Sequence, residues 1–276
     1  MNLRRVYKKR DKWSHKGDFG KVLIVSGSKI YSGSPVFNAI SAFRAGADLV
    51  AVVGHKRAMD IAAGSLPDII TYPLEFDLNL YHATEIAEIA KEYDAMIIGC
   101  GLKRSDDTHR AIREIIEKIN LPMVIDAEGI RAISHNLNLV KGKNVVITPH
   151  AEEFRVLTGE TVKPEIKDRQ EKVRKWAEKI GATIILKGNV DVISDGNKTV
   201  LSRAGTPFMT KGGFGDTLSG ICGALLARGV KSLEAAEAAA YINGKAGELA
   251  SKRYGESVLA SDIFEFIPKV IKKYNQ

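Results

Sequence analysis

The chain predicts an α/β fold: a mostly parallel central β-sheet with helices on both faces. Two observations carry this. Short runs rich in aliphatic and β-branched residues are what strands buried on both faces require. Between them lie longer segments whose apolar residues recur every three and four positions, the mark of helices laid against a sheet. A third observation, stop signals such as Ile119-Asn120-Leu121-Pro122 and Lys179-Ile180-Gly181 just before the next apolar run, separates the two kinds of segment.

In chain order, the predicted strands are Val22 to Val25, Leu49 to Val53, Ile69 to Thr71, Ala95 to Ile98, Met123 to Ile125, Val145 to Ile147 and Thr183 to Leu186. The helices predicted between them are Pro35 to Arg44, Ala83 to Tyr93, Thr108 to Lys118 and Lys167 to Ile180. After Leu186 the rhythm changes. Val190 to Ser194 and Thr199 to Leu201 read as a hairpin around Asp195-Gly196-Asn197, a sequence suited to a tight turn. Helices from Gly215 to Arg228, Leu233 to Arg253 and Ser261 to Lys273 complete the fold.

Composition narrows the function. With 276 residues, 45% hydrophobic and 27% charged, the chain can bury a sizeable core, and residues 1–276 read as a single domain. The net charge of +8 is spread among acidic residues, so no nucleic-acid partner is expected. The one dense basic stretch, Arg4 to Arg10, lacks the apolar segment of a secretory signal and reads as part of a solvated tail over residues 1–13. No apolar run reaches membrane-spanning length. Cys100 and Cys222 share no metal-ligand spacing and suggest no disulfide framework, which fits a reducing cytoplasm.

In a parallel sheet, ligands gather beyond the carboxyl ends of the strands. The residues there are polar or glycine-rich: Ser26-Gly27-Ser28, Gly99-Cys100-Gly101, Asp126-Ala127-Glu128, Thr148-Pro149-His150 and Lys187-Gly188-Asn189. The most informative segment comes later, where Lys211-Gly212-Gly213-Phe214-Gly215-Asp216 runs into the apolar stretch Thr217 to Ala227. Glycines there let backbone N–H groups converge on an anion at the positive end of a helix. A carboxylate beside that anion can take a proton from an attacking hydroxyl. On the residues alone, Asp216 reads equally well as a helix-capping residue. Neither the P-loop pattern nor the G-x-G-x-x-G dinucleotide fingerprint occurs.

Taken in order, Ser14-His15-Lys16-Gly17, Arg44-Ala-Gly-Ala-Asp-Leu49, Thr148-Pro149-His150-Ala-Glu152-Glu153-Phe154, Leu186-Lys187-Gly188 and Gly212-Gly213-Phe214-Gly215-Asp216 resemble the ADP- or ATP-dependent NAD(P)H-hydrate dehydratase family of the ribokinase-like superfamily. The resemblance runs from about Ser14 to Pro268. It implies a ribokinase-like fold and a repair lyase. A nucleotide, ADP or ATP, phosphorylates the hydroxyl of the (S)-hydrates of NADH and NADPH (NADHX and NADPHX), phosphate departs, and the reduced cofactor is restored. Mg²⁺ and a homo-oligomer, tetramers included, are implied with it. So is a separate epimerase, since no fused epimerase domain is read in the chain.

By matching position, Asp216 resembles the residue that contacts the hydrate hydroxyl and takes its proton. A helix N-terminus is expected to make that carboxylate a weak base. Ser34, Gly101 and His150 match positions lining the hydrate pocket. Lys187, Gly188, Asn189, Val190 and Asp191 match the nucleotide loop, while Gly213 and Gly215 match the anion hole, Gly215 also touching the nucleotide. Glu153 falls near the metal region of related kinases, with no metal ligand assigned. His15 and Lys16 are candidates to close over the site, and Lys103 and Arg104 to meet cofactor phosphates. The chain departs from the family at Phe214, where Thr is usual, at Cys100, where Pro is usual, at Ser34 in place of Ala, and across Arg203 to Phe208. Two other readings stay open: a small-molecule kinase of the same superfamily, acting on a hydroxymethylpyrimidine, thiazole, pyridoxal or sugar, and a non-catalytic nucleotide-binding regulator.

Overall fold

The structure, a computed structural model, describes residues 3–7 and 10–273. Its strands are β1 (Lys21–Val25), β2 (Leu49–His55), β3 (Ile70–Leu74), β4 (Ala95–Ile98), β5 (Met123–Ile125), β6 (Val145–Ile147), β7 (Thr183–Leu186), β8 (Asp191–Ser194) and β9 (Thr199–Ser202). They form one sheet in the order β3-β2-β1-β4-β5-β6-β7-β8-β9. Strands β1 to β7 are parallel, and β8 and β9 turn back antiparallel as the predicted hairpin. The order reverses between β1 and β4, the place where an open sheet leaves a crevice.

The helices are α1 (Ser34–Arg44), α2 (Lys56–Ser65), α3 (Ala83–Ala90), α4 (Asp106–Lys118), α5 (Glu128–Ile133), α6 (Ala151–Thr158), α7 (Ile166–Ile180), α8 (Phe214–Ala227), α9 (Ser232–Tyr254) and α10 (Ile267–Lys272). Side chains alternate across the sheet, as the period of two demands. Val22, Ile24, Val50, Val52, Ile97 and Val124 face α1, α2, α8, α9 and α10. Leu23, Val25, Val53, Met96, Ile98 and Ile125 face α3 to α7. The strands buried on both faces, β1, β2 and β4 to β7, are therefore almost wholly apolar, which is the pattern that announced them, whereas the edge strand β3 is largely exposed. Helix α8 is buried from Thr217 through Ala227 between α1 and α9. It lies so close to α1 that a side chain at Gly220 would collide with the Asn38 carbonyl.

Several elements differ from expectation. The strand predicted at Ile69 to Thr71 continues to Leu74 through Pro73; it is an edge strand, where a missing N–H costs no ladder bond. The predicted helix from Ser261 to Lys273 is a 3-10 turn, Ala260–Glu265, followed by α10, because Pro268 lacks the N–H that a continuous helix would need. Helices α2, α5 and α6 were not predicted. The last two are only 6 and 8 residues long, too short for a 3.6-residue period to stand out. The basic N-terminal stretch is not simply solvated: Leu3, Val6 and Tyr7 are buried in the core, the Tyr7 hydroxyl donates to Ala45 O at 3.0 Å and Arg10 pairs with Asp48 at 2.9 Å. Its Lys8 and Lys9, with Met1 and Asn2, lie outside the described residues. No helix among the described residues is long and apolar enough to cross a membrane.

Candidate active site

The parallel strands deliver Cys100, Asp126, Thr148 and Lys187 to one edge of the sheet, each within two residues of its strand's carboxyl end. Helix α8 starts at the same edge. Its N-cap, Gly213, has φ 100°, a conformation open to glycine, and a Cβ there would lie 2.7 Å from the Ala260 Cβ. Gly215 is bare for a different reason. A Cβ on it would lie 3.4 Å from Lys187 Nζ and 3.8 Å from Asp126 Oδ2, so its hydrogen leaves room between the helix terminus and an ammonium.

At the centre of this edge is Asp126, 3% exposed. Its Oδ1 accepts from Lys187 Nζ at 3.1 Å and from the Ala127 N–H at 2.9 Å. Its Oδ2 accepts from Ser219 Oγ at 2.8 Å and faces Cys100 Sγ at 3.6 Å. Burial opposes charge on this carboxyl, but the Lys187 ammonium and the Ser219 hydroxyl outweigh it and hold Asp126 below the usual carboxylate range. Ala127, next to it, has φ 48°, a strained conformation for a residue with a Cβ and one that clusters at functional sites. Lys187 also lies 3.7 Å from Glu153 Oε2. Its two carboxylate neighbours overcome its desolvation and keep it protonated.

Asp216 occupies the third position of α8, not its cap. The expectation of a weak base is overturned: burial first, and then the charge of Asp126, push its carboxyl up to about 6. Hydrogen bonds from Ser34 and Cys100 oppose the rise. The helix dipole is outweighed by this burial together with the nearness of Asp126; one oxygen of each carboxylate and Cys100 Sγ fall within 4.8 Å of one another. Burial and the same two carboxylates keep the Cys100 thiol protonated. Ser34, at the start of α1, sits against Gly101, where a Cβ would lie 2.7 Å from Ser34 Cβ. Ser34, Gly101 and Asp216 thus form one side of the site.

The other side is a cleft of about 610 Å³ lined by His150, Lys187, Gly188, Asn189, Asp191 and Gly215 together with apolar Pro207, Met209, Phe214, Leu218 and Ala240. Gly188 N–H donates to Asp191 Oδ1 at 2.9 Å, and Arg169 donates to the Leu186 and Lys187 carbonyls at 3.3 and 3.0 Å, so the loop is braced. Val190 and Gly213 belong to the loop and the turn but do not line the cleft. His150 lines this cleft with the Lys187 loop, and Ser34 and Gly101 do not. Its Nδ1 accepts from the N–H groups of Glu152 and Glu153 at 3.1 and 3.3 Å, and Glu153 Oε2 accepts from the His150 N–H at 2.9 Å, a reciprocal cap for α6. Phe214 is 5% exposed and packs into the core as well as walling the cleft. Lys103 and Arg104 are held by Asp77 and Glu128 at 3.6 and 3.1 Å, while His15 and Lys16 are exposed and line no part of the cleft.

The residues do not fit a dedicated Mg²⁺ cage. Mg²⁺ takes oxygen ligands in octahedral geometry, whereas this cluster offers a protonated thiol and, on Asp126, oxygens already bound by Lys187, Ala127 and Ser219. Glu153 is spent on its helix cap and on Lys187. None of these residues is assigned as a metal ligand. Sequence reading placed Asp126 at a strand end without giving it a role, and missed Asn38, whose Nδ2 donates to the Asp216 carbonyl at 2.8 Å. The only local sign of Asn38 is a polar residue on the apolar stripe of α1.

Comparison with known proteins identifies the family and the fold. The family model for NAD(P)H-hydrate dehydratase matches residues 22–269. A bifunctional NAD(P)H-hydrate repair enzyme of Pyrobaculum aerophilum is 40% identical over 264 residues, 95% of this chain and 52% of that protein; the chain spans about half that relative's length. An ADP-dependent (S)-NAD(P)H-hydrate dehydratase of Cenarchaeum symbiosum is 38% identical over 277 residues, covering 100% of this chain and 96% of the relative. Among solved structures, the ADP/ATP-dependent NAD(P)H-hydrate dehydratase of Bacillus subtilis, co-crystallised with ATP and Mg²⁺, superposes with a TM-score of 0.84 at 26% identity, over 99% of this chain and 96% of that one. The fold is therefore the ribokinase-like one. With the glycine turn, its carboxylate and the braced lysine loop assembled at one sheet edge, and the match running through nearly all of the sequence that builds them, the chain belongs to the NAD(P)H-hydrate dehydratase family.

Proposed function

We propose that the protein dehydrates the (S)-hydrates of NADH and NADPH at the expense of ADP, releasing AMP and phosphate. The observation that carries this reading is Asp216: a carboxyl pushed up to about 6, beside a glycine turn and a lysine that faces a nucleotide-sized cleft. A base with a pKa near the working pH is the effective kind for moving a proton in a transition state. Adenine suits the apolar wall of Phe214, Leu218 and Ala240, and the phosphates suit the N-terminus of α8 and Lys187. Any Mg²⁺ would be held chiefly by the nucleotide's phosphates, which this ion commonly takes as ligands.

In the reaction, the hydroxyl oxygen at C6 of the hydrate attacks the terminal phosphorus of ADP and Asp216 takes its proton. The bond to the bridging oxygen breaks and AMP leaves. The ring-nitrogen lone pair then expels phosphate from C6, and loss of a proton from C5 restores the double bond. Phosphoryl transfer of this kind depends on positioning and charge neutralisation more than on a protein nucleophile. ADP is the favoured nucleotide because the full-length relative from Cenarchaeum symbiosum is named for it.

The test is the chemically prepared hydrate incubated with ADP, following both phosphate release and recovery of reduced-nicotinamide absorbance. Asp216→Asn should lose about a hundredfold or more in rate while binding ADP within a few-fold of the parent. A stable phosphorylated product in place of free phosphate would refute the dehydratase reading in favour of a kinase. Nucleotide binding with turnover of no hydroxyl substrate would refute it in favour of a regulator.

A further inference from the structure

Asp126 is more thoroughly held than a structural carboxylate at a strand end requires. Both of its oxygens are bonded from three directions, by a lysine, a serine and a backbone amide, yet it stands beside a second carboxylate, Asp216, with which it shares no hydrogen bond. Two like charges at this separation in a partly buried site resist joint ionisation. The bonds on Asp126 decide which of the two keeps its charge. Lys187 is the only one of those donors that also lines the cleft.

We propose that Asp126 is a positioning residue whose fixed negative charge keeps Asp216 proton-accepting, and that Lys187, shared between Asp126 and the cleft, transmits nucleotide binding to that base. An anionic phosphate entering beside Gly215 competes with Asp126 for the Lys187 ammonium. As the ammonium turns to the phosphate, Asp126 loses part of its counter-charge and bears more strongly on Asp216. The base is then strongest when the phosphoryl donor is in place, which disfavours proton abstraction in its absence. The inference rests on the functional reading above for the identity of the anion, but not for the electrostatics of the free protein.

The groups facing Asp216 are few among the described residues. Cys100 approaches from the end of β4, Asp126 from β5 and Lys187 from β7, and Lys187 in turn meets Glu153 on α6. From α1 come the Ser34 hydroxyl and the Asn38 amide, neither of which titrates. Cys100 stays protonated throughout the neutral range. Asp126 and Lys187 are thus the charged neighbours that bear on the Asp216 titration, and they act with opposite signs.

The experiment is a direct titration of the Asp216 carboxyl by carbon NMR on protein labelled at the aspartate side-chain carboxyl, the resonance assigned by its loss in Asp216→Asn. Asp126→Asn should lower the midpoint by about one unit; Lys187→Met should raise it. Saturating ADP should raise the midpoint in the parent protein and do so less in Lys187→Met. A midpoint unmoved or raised in Asp126→Asn would overturn the first part of the proposal. Should that variant not fold, an unmoved or lowered midpoint in Lys187→Met would overturn it instead. An ADP shift of equal size with and without Lys187 would overturn the coupling. These titrations need no hydrate, so a protein that dehydrates nothing leaves their outcome intact, whereas failure to bind ADP at all would sink both the nucleotide reading and the coupling.

Discussion

Gly215→Ala should make the protein slightly more stable and a worse binder of nucleotide. Gly215 sits in the first turn of α8, and its φ is not positive, so alanine adopts its backbone without strain. Replacing glycine by alanine at such a position stabilises by about 0.5 kcal/mol, mainly by restricting the unfolded chain. For a protein of this size that is a rise in Tm of roughly 1 to 2 °C. The new methyl meets only Lys187 Nζ at 3.4 Å and Asp126 Oδ2 at 3.8 Å, near-ordinary contacts in the folded state. It fills the space, however, in which a phosphate oxygen would have to reach both the helix N–H groups and the ammonium. Losing one charge-assisted hydrogen bond there costs about 1.5 to 3 kcal/mol, or roughly tenfold to a hundredfold in ADP affinity. Thermal unfolding and calorimetric titration of ADP measure the two effects separately. Gly213→Ala is the contrast: with φ 100° and a Cβ only 2.7 Å from the Ala260 Cβ, it should lose at least about 1 kcal/mol of stability. A Gly215→Ala variant of raised Tm and unchanged ADP affinity would show that no anion binds between α8 and Lys187.

Burial pushes the Asp191 carboxyl up to about 6. The folded state therefore binds more protons than the unfolded one between about pH 4 and 6, and this group's contribution to stability falls as pH rises through that window. Asp191→Asn, which keeps an acceptor for the Gly188 N–H, should raise Tm at pH 8 and lose the gain below about pH 4; an equal gain at both would refute the burial argument. His150→Ala removes the side-chain cap from α6 and should cost about 0.5 to 2 kcal/mol in denaturant unfolding, whereas an unchanged midpoint would mean that the cap carries no weight. Phe214→Thr should cost about 3 kcal/mol, since the ring is buried in the core as well as lining the cleft. A loss below about 1 kcal/mol, with an altered ADP-to-ATP affinity ratio, would show that the ring serves the ligand instead.

How much could be read in advance follows from how local each signal is. Most of the parallel strands were legible because a strand buried on both faces must be almost wholly apolar, as Val22 to Val25 and Ala95 to Ile98 are; the edge strand Ile70–Leu74 is largely exposed, and its extent was not. The glycine-Asp turn was legible because Gly213, Gly215 and Asp216 adjoin one another and the helix they open. The charge state of Asp216 was not, and the local argument from the helix dipole pointed the wrong way. That state is set first by burial and then by Asp126, 90 residues earlier in the chain, which is in turn held by Lys187 and Ser219, 61 and 93 positions away from it. No periodicity or motif encodes such pairings, and they exist only once β5, β7 and α8 end at the same edge. His150 shows the same division within a single residue. Its place after β6 is written in the chain, but that its ring caps α6 and faces the cleft of the Lys187 loop depends on where the folded backbone points it. The sequence by itself determined the central parallel strands, the longer helices and the glycine turn that opens α8, because period and glycine are local. Only the tertiary structure decided the charge balance between Asp126 and Asp216, since burial and electrostatic neighbours are chosen by the fold.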